Sequence, residues 1–412
     1  MSQESLLTGQ ITAKLIALEE AYGAHNYHPL PVVLERGKGA KVWDVEGKEY
    51  LDFLSAYSAV NQGHSHPAIL QALYSQAERI TLTSRAFHNA QLGPYTSYIT
   101  QLFGYDKVLP MNTGVEAVET AIKLARKWAY QVKGIPDGQA KVVFAEGNFH
   151  GRTLGVISAS SDPSSYAGFG PYVPNYLRVA YNDAVAVSEL LEQDPEICAV
   201  LLEPIQGEAG VVVPDDGYLH QLSLACKKHN VLFIADEIQT GIGRTGKMLA
   251  CDHEQVRPDV LILGKALSGG VLPVSAVLAD DEIMLAIRPG EHGSTFGGNP
   301  LACAVATAAL QVVVNEQLAE RASHLGEYFR SELQRLSLPL VRSVRGKGLL
   351  NAIVLDTTDP DMGWNVCLKL MDMGLLAKPT HSYIIRLAPP LVISKEEVSC
   401  SLEIIARALG KF

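Results

Sequence analysis

Between about residue 60 and residue 300 the chain repeats one pattern: a short run apolar at every position, followed by a stretch with helical spacing. The runs include Val142-Val-Phe, Ala199-Val-Leu-Leu, Val231-Leu-Phe-Ile-Ala and Val260-Leu-Ile-Leu. A strand with one wet face alternates apolar and polar residues, whereas one that is apolar throughout is covered on both faces. The pattern therefore predicts a mostly parallel sheet with helices above and below it. In such a sheet the chemistry collects beyond the carboxyl ends of the strands.

The flanks read differently. Ile11, Leu15, Leu18 and Tyr22 fall on one face of a helix. Lys41-Val-Trp-Asp-Val-Glu-Gly-Lys-Glu-Tyr-Leu-Asp-Phe alternates around Glu46-Gly47 and predicts a hairpin. Residues 301–330 read as nearly continuous helix, then strand-like Gly348-Leu-Leu-Asn-Ala-Ile-Val-Leu, another helix, Tyr383-Ile-Ile-Arg-Leu and a closing helix from about Glu396. The expectation is an α/β chain with a large domain over 60–300 and a smaller α+β domain over 301–412. The helix and hairpin of residues 1–59 should pack with the smaller domain.

Composition narrows the class. With 412 residues, 47% hydrophobic and 19% charged, the chain suits a well-packed enzyme of two domains rather than a disordered polymer. A net charge of −10 argues against a nucleic-acid partner, which needs clustered Lys and Arg. No apolar run approaches the ~20 residues that span a bilayer, so no membrane partner is expected. Cys198, Cys226, Cys251, Cys303, Cys367 and Cys400 show no C-x-x-C pair, the mark of reduced thiols in a cytosol-like compartment. The opening Met-Ser-Gln-Glu-Ser-Leu-Leu has no Arg and an acid at Glu4, unlike a secretory or transit peptide. A cytoplasmic location is expected.

Two of the apolar runs end in charge: one at Asp236-Glu237, the other at Lys265. A charge at a buried strand end costs several kcal/mol unless it is paired or hydrogen-bonded. The plainer reading is that Asp236 and Lys265 pair with each other. A third segment favours chemistry. Thr113-Gly114 opens a helix, where free N–H groups suit a phosphate, although Thr113-x-x-Glu116 is also an ordinary capping box. A phosphate cradle, an acid and a lysine together are what pyridoxal phosphate requires. The lysine forms the Schiff base, and the acid keeps the pyridine nitrogen protonated so that the ring accepts electrons.

A nucleotide site is set aside. Gly241-Ile-Gly-Arg-Thr-Gly-Lys-Met nearly spells a phosphate-binding P-loop, but Met248 replaces the magnesium-binding Ser or Thr. The strand with the acidic pair also precedes the loop instead of following it. His64 and His66 lack a ligand cluster, so satisfied loop histidines are expected rather than a metal site.

The strings Ala235-Asp236-Glu237-Ile-Gln239-Thr-Gly, Gly264-Lys265-Ala-Leu-Ser-Gly-Gly and Gly293-Ser-Thr-Phe-Gly-Gly-Asn-Pro resemble the class III, or ω-, aminotransferases. Within that family the likeness runs nearly end to end with the branch acting on the δ-amine of ornithine. It is carried by Tyr22-Gly-Ala-His-Asn-Tyr-His-Pro, Glu203-Pro-Ile-Gln-Gly-Glu-Ala-Gly and Arg345-Gly-Lys-Gly-Leu-Leu-Asn. The resemblance implies the fold type I of pyridoxal-phosphate transferases and a homodimer with shared active sites. It implies that Gly114 and Val115 give backbone donors to the cofactor phosphate, and that Thr295 reaches the partner subunit's phosphate. Phe149 would stack on the pyridine ring and Gln239 would contact the 3′-oxygen. Phe149 is equally a core residue on sequence alone. Tyr27, Tyr57, Arg152, Glu208 and Arg386 would line the substrate pocket. His150 stands where an aromatic such as Trp is familiar in animal relatives, and little effect on chemistry is expected.

The implied reaction moves the δ-amine of ornithine to 2-oxoglutarate. Arg152, through its bidentate fork, and Tyr27 would hold the distal carboxylate and ammonium, while Lys265 carries the proton. Arg386 would bind the α-carboxylate of 2-oxoglutarate, with Glu208 masking it in the first half-reaction; the plainer reading of that pair is a surface ion pair worth ~0–1 kcal/mol. The rivals are an N-acetylornithine or 4-aminobutyrate aminotransferase, an aminomutase of the same fold, and a cofactor-free binding protein.

Overall fold

The computed structural model describes residues 3–410. Its centre is a seven-stranded sheet in the order β4-β10-β9-β8-β7-β5-β6. The strands are β4 (Lys107–Met111), β5 (Lys141–Ala145), β6 (Tyr176–Val179), β7 (Ile197–Leu202), β8 (Leu232–Asp236), β9 (Val260–Leu263) and β10 (Ser275–Ala279). The neighbours from β6 to β9 pair in parallel, while β10 runs antiparallel to both β9 and β4. Only β10 is reversed, so β4 points the same way as the parallel set.

Successive residues of these strands enter opposite cores. Val142, Phe144, Ala199, Leu201, Leu232 and Ile234 pack with the Gly114–Trp128 helix on one face. Val143, Ala145, Val200, Leu202, Phe233 and Ala235 pack with the Tyr218–Lys228 helix on the other. Both faces are dry, which is why the runs carry no polar alternation.

The second region holds a four-stranded sheet, β11-β12-β15-β14. Its members are β11 (Val341–Lys347), β12 (Leu350–Leu355), β14 (Lys378–Thr380) and β15 (Ile384–Leu387). The N-terminal hairpin, β2 (Lys41–Asp44) and β3 (Glu49–Asp52), sits between β1 (Leu34–Lys38) and β13 (Leu375–Leu376) in a third sheet. There β13 pairs in parallel with β3, Leu375 opposite Leu51, so the hairpin is tied to the C-terminal part of the chain.

Two expectations change. The helix of residues 301–330 is broken into Pro300–Asn315 and Leu318–Arg335, bent by 57°. Gln317, in the left-handed region with φ +51°, makes the corner. The N-terminal helix starts earlier than its apolar spacing suggested, at Gln3–Tyr22, yet Ile11, Leu15, Leu18 and Tyr22 are exposed. Among the described residues no single helix is long and apolar enough to cross a membrane. All six cysteines are free. His64 Nε2 meets Asp52 at 2.7 Å and His66 Nε2 meets Glu316 at 2.9 Å, while Nδ1 of His66 is buried without a partner.

The P-loop-like segment is a buried hub. Arg244 is fully buried, and donates to Asn61 Oδ1 at 2.6 and 3.1 Å, Leu349 O at 2.9 Å and Pro389 O at 2.6 Å. It thus pins the loop after β8 to the N-terminal segment, to the β11–β12 turn and to the segment after β15. Burial pushes its guanidinium down to about 9, with Asp52 opposing. Arg244→Met should orphan these acceptors and cost on the order of 3 kcal/mol or more. Urea unfolding checks this, and a loss under ~1 kcal/mol would contradict the role of hub.

Candidate active site

The carboxyl ends of β4, β5, β7, β8 and β9 open onto one edge, and each delivers part of a cleft. β4 leads to the helix start at Gly114, β5 to Phe149–Arg152 and β7 to Glu203. β8 ends on Asp236, and Lys265 follows β9. A cavity of about 320 Å³ there is lined by Gly114, Val115, Phe149, Arg152, Asp236, Gln239 and Lys265 among others. That is within the size range of small-molecule sites.

At the helix start the capping box is present. Glu116 N–H donates to Thr113 Oγ1 at 3.3 Å, and Thr113 N–H to Glu116 Oε2 at 2.7 Å. Gly114 and Val115 follow the cap, where backbone N–H groups have no intrahelical acceptor. A Cβ on Gly114 would lie 3.0 Å from Ile238 Cδ1, so a side chain there would crowd the cleft. Capping and an anion cradle coexist in one turn.

Asp236 and Lys265 do not pair with each other. The Asp236 carboxylate, 4% exposed, meets His150 Nδ1 at 2.7 Å and accepts from Ile238 N–H at 3.1 Å. His150 is therefore no bystander: its ring is buried directly on the acid, which also fixes Nδ1 as the nitrogen facing it. Lys265 makes no ion pair among the described residues. It sits with φ +45°, an uncommon backbone state that costs of order 1–3 kcal/mol. Burial pushes its ammonium below the ordinary range, with Glu208 and Asp236 opposing.

The second charge centre is also buried. Arg386, on β15 and 2% exposed, donates through Nη1 to Glu208 Oε1 and to Gln239 Oε1, both at 2.9 Å. The Tyr57 ring lies 4.5 Å from its guanidinium. Burial raises the Glu208 carboxyl, but Arg386 outweighs it and leaves the group below its ordinary value. The reading of an exposed surface pair does not hold.

A family model, Aminotransferase class-III, matches residues 22–409. The chain belongs to the class-III aminotransferases. It is 62% identical to the mitochondrial ornithine aminotransferase of Rattus norvegicus, covering 96% of this chain and 90% of that protein. A solved structure of the Toxoplasma gondii ornithine aminotransferase superposes with a TM-score of 0.95 at 48% identity, covering 97% of this chain and 94% of that one. One titled acetylornithine aminotransferase, from Elizabethkingia anophelis, gives 0.90 at 58% identity, with coverages of 97% and 99%.

A class-III aminotransferase works with pyridoxal phosphate, and the residues present fit that group. A buried acid lies at the end of β8, an unpaired lysine after β9 and a side-chain-free helix start at Gly114. Phe149 lines the same cavity, its N–H 3.3 Å from Glu203 Oε1. Arg152 also lines it, donating to Ser165 Oγ at 3.0 Å.

Of the residues expected in the site, Tyr57, Glu208 and Arg386 adjoin this aminotransferase cavity by way of Gln239, whereas Tyr27 and Thr295 lie apart from it. Tyr27 is 81% exposed in a crevice beside Trp364, near enough to bear on the Tyr57 hydroxyl. Thr295 is exposed on a loop tied back to the phosphate-side helix. Asn112 Nδ2 donates to Ser294 Oγ at 2.8 Å, and His292 meets Thr120 Oγ1 at 2.8 Å.

Glu203 also lines the cavity, and the sequence carries a signal for it. It ends the apolar run of β7 as Asp236 ends that of β8. It is buried with Oε2 unpartnered. Burial first, then Asp236 and Glu208, hold its carboxyl well above the carboxylate range, with Lys265 opposing. Such a group binds more protons folded than unfolded. Its stability contribution is present below the unfolded value of about 4.3 and is lost as pH rises. Glu203→Gln should therefore match the wild type near pH 4 and gain on it progressively toward pH 8. Thermal melts across that range check this, and a pH-independent difference would contradict it.

Proposed function

We propose that this enzyme transfers the δ-amino group of L-ornithine to 2-oxoglutarate. The products are glutamate and glutamate 5-semialdehyde, which closes to pyrroline-5-carboxylate. The observation that carries the reading is the buried Glu208–Arg386 pair, joined through Gln239 to the cavity that holds Lys265. An enzyme that took only α-amino acids would keep that arginine open. One that takes an ω-amine first and a 2-oxo acid second must mask it and then expose it.

Bound pyridoxal phosphate supplies an aldehyde that condenses with amines and a ring that accepts electrons. Gly114 and Val115 N–H groups would hold its phosphate, Phe149 would lie against the ring, Asp236 would bind the protonated pyridine nitrogen and Gln239 the 3′-oxygen. Lys265 would anchor the group and then take and return the proton at the δ-carbon of ornithine. Its lowered proton affinity favours the neutral amine that this step needs. Arg152 takes the distal carboxylate and Tyr27 the α-ammonium. In the second half Glu208 leaves Arg386, which then binds the α-carboxylate of 2-oxoglutarate.

The relatives' names support ornithine, and the titles of two neighbours point to acetylornithine. The two donors share the δ-amine and differ at the α-nitrogen, which is cationic only in ornithine. Paired assays decide between them: kcat/KM should favour ornithine, with pyrroline-5-carboxylate and glutamate formed one to one. A preference for N-acetylornithine would overturn the substrate.

The protein is further proposed to be a homodimer in which Thr295 serves the partner's phosphate. The exposed apolar face of Ile11, Leu15 and Leu18, and exposed Phe87 and Phe296, support a covering subunit. Sedimentation should give twice the chain mass. The six free cysteines are in keeping with a reducing, cytosol-like compartment.

A further inference from the structure

We infer that Gln239 is a specificity-determining residue that latches the Glu208–Arg386 pair closed, and that Gly207 supplies the space it needs. The inference rests on the ω-then-α reading above and goes beyond a contact of Gln239 with the cofactor. Three side chains form a closed triangle. Arg386 Nη1 donates to Glu208 Oε1 and to Gln239 Oε1, each at 2.9 Å. The amide turns its other end on the same carboxylate oxygen, Gln239 Nε2 donating to Glu208 Oε1 at 3.2 Å. Arg386 Nε is buried without a partner, so these two acceptors at Nη1 are the whole hydrogen-bonded hold of this pair on the guanidinium. The ring of Tyr57 covers it as well.

The amide carries no charge, so it adds geometry rather than neutralisation. To free Arg386 for a substrate carboxylate, the enzyme must exchange two acceptors and break the amide–carboxylate bond as well. Gly207 makes the arrangement possible. A Cβ there would stand 1.9 Å from Gln239 Oε1 and 2.5 Å from its Cδ. Gly207 is not among the glycines in the left-handed region, so the backbone does not demand glycine at this position. The Gln239 amide does.

Two variants test the latch by different routes: Gln239→Leu removes the amide, and Gly207→Ala keeps it but pushes it aside. The primary readout is equilibrium binding of glutarate to the holoenzyme by calorimetry. Glutarate is an unreactive dicarboxylate that competes for Arg386 without turning over. Both variants should bind it about tenfold tighter, the worth of one hydrogen bond to a charged group. The ratio of kcat/KM for glutamate over ornithine should rise by a similar factor. If Gln239 serves the cofactor alone, glutarate binding stays unchanged and kcat/KM falls equally for both donors, which overturns the proposal. Tightening in Gln239→Leu but not in Gly207→Ala removes Gly207 from it. The underlying gate is judged separately by Glu208→Ala. A shifted donor preference there with no change in either latch variant sinks the latch and leaves the ornithine reading standing.

Discussion

Lys265→Ala is expected to abolish turnover, lowering kcat for the ornithine half-reaction by at least ~10⁴-fold. On the proposed reading the lysine would anchor the cofactor and then carry the proton at the δ-carbon, and among the described residues no other amine lines the cavity to replace it. The fold should tolerate the change: Lys265 makes no ion pair among the described residues, and its left-handed backbone costs alanine no more than lysine. Single-turnover absorbance with purified variant checks this. Retained transamination would remove Lys265 from the centre of the account.

Glu208→Ala should have the second largest effect, on donor choice rather than rate. It leaves Arg386 buried with only Gln239 as acceptor, and a buried charge short of partners is costly. A substrate α-carboxylate entering the cleft would relieve that cost. Activity with glutamate as donor should therefore rise relative to ornithine by ~10–100-fold, the range of one to two units of RT ln 10 assigned to charged hydrogen bonds. Pre-steady-state rates with each donor measure it. An unchanged preference would show that the pair is structural.

The catalytic edge was legible because its signals are local. An apolar run that ends in charge reports both a doubly covered strand and its reactive end, and this holds for Asp236 and Lys265. The same rule applied to β7 would have flagged Glu203. What escaped the sequence is non-local. Nothing near residue 150 says that its imidazole will rest on an acid 86 positions away. Nothing near Gly207 says that an amide from the next strand's loop fills its Cβ position. Edge strand β11 was missed because its partly exposed residues break the apolar pattern. The corner at Gln317 was missed because glutamine rarely marks a left-handed turn. Arg244 sits in a loop that mimics a phosphate-binding motif, and only its burial shows that it ties the chain together.

The most direct test of the account is the visible absorption of the pyridoxal-phosphate-loaded enzyme, followed through each half-reaction alone. Ornithine should bleach the lysine-linked cofactor band, and 2-oxoglutarate should restore it. If N-acetylornithine bleaches the band as fast as ornithine, or ornithine leaves it unchanged, the assignment to ornithine is wrong.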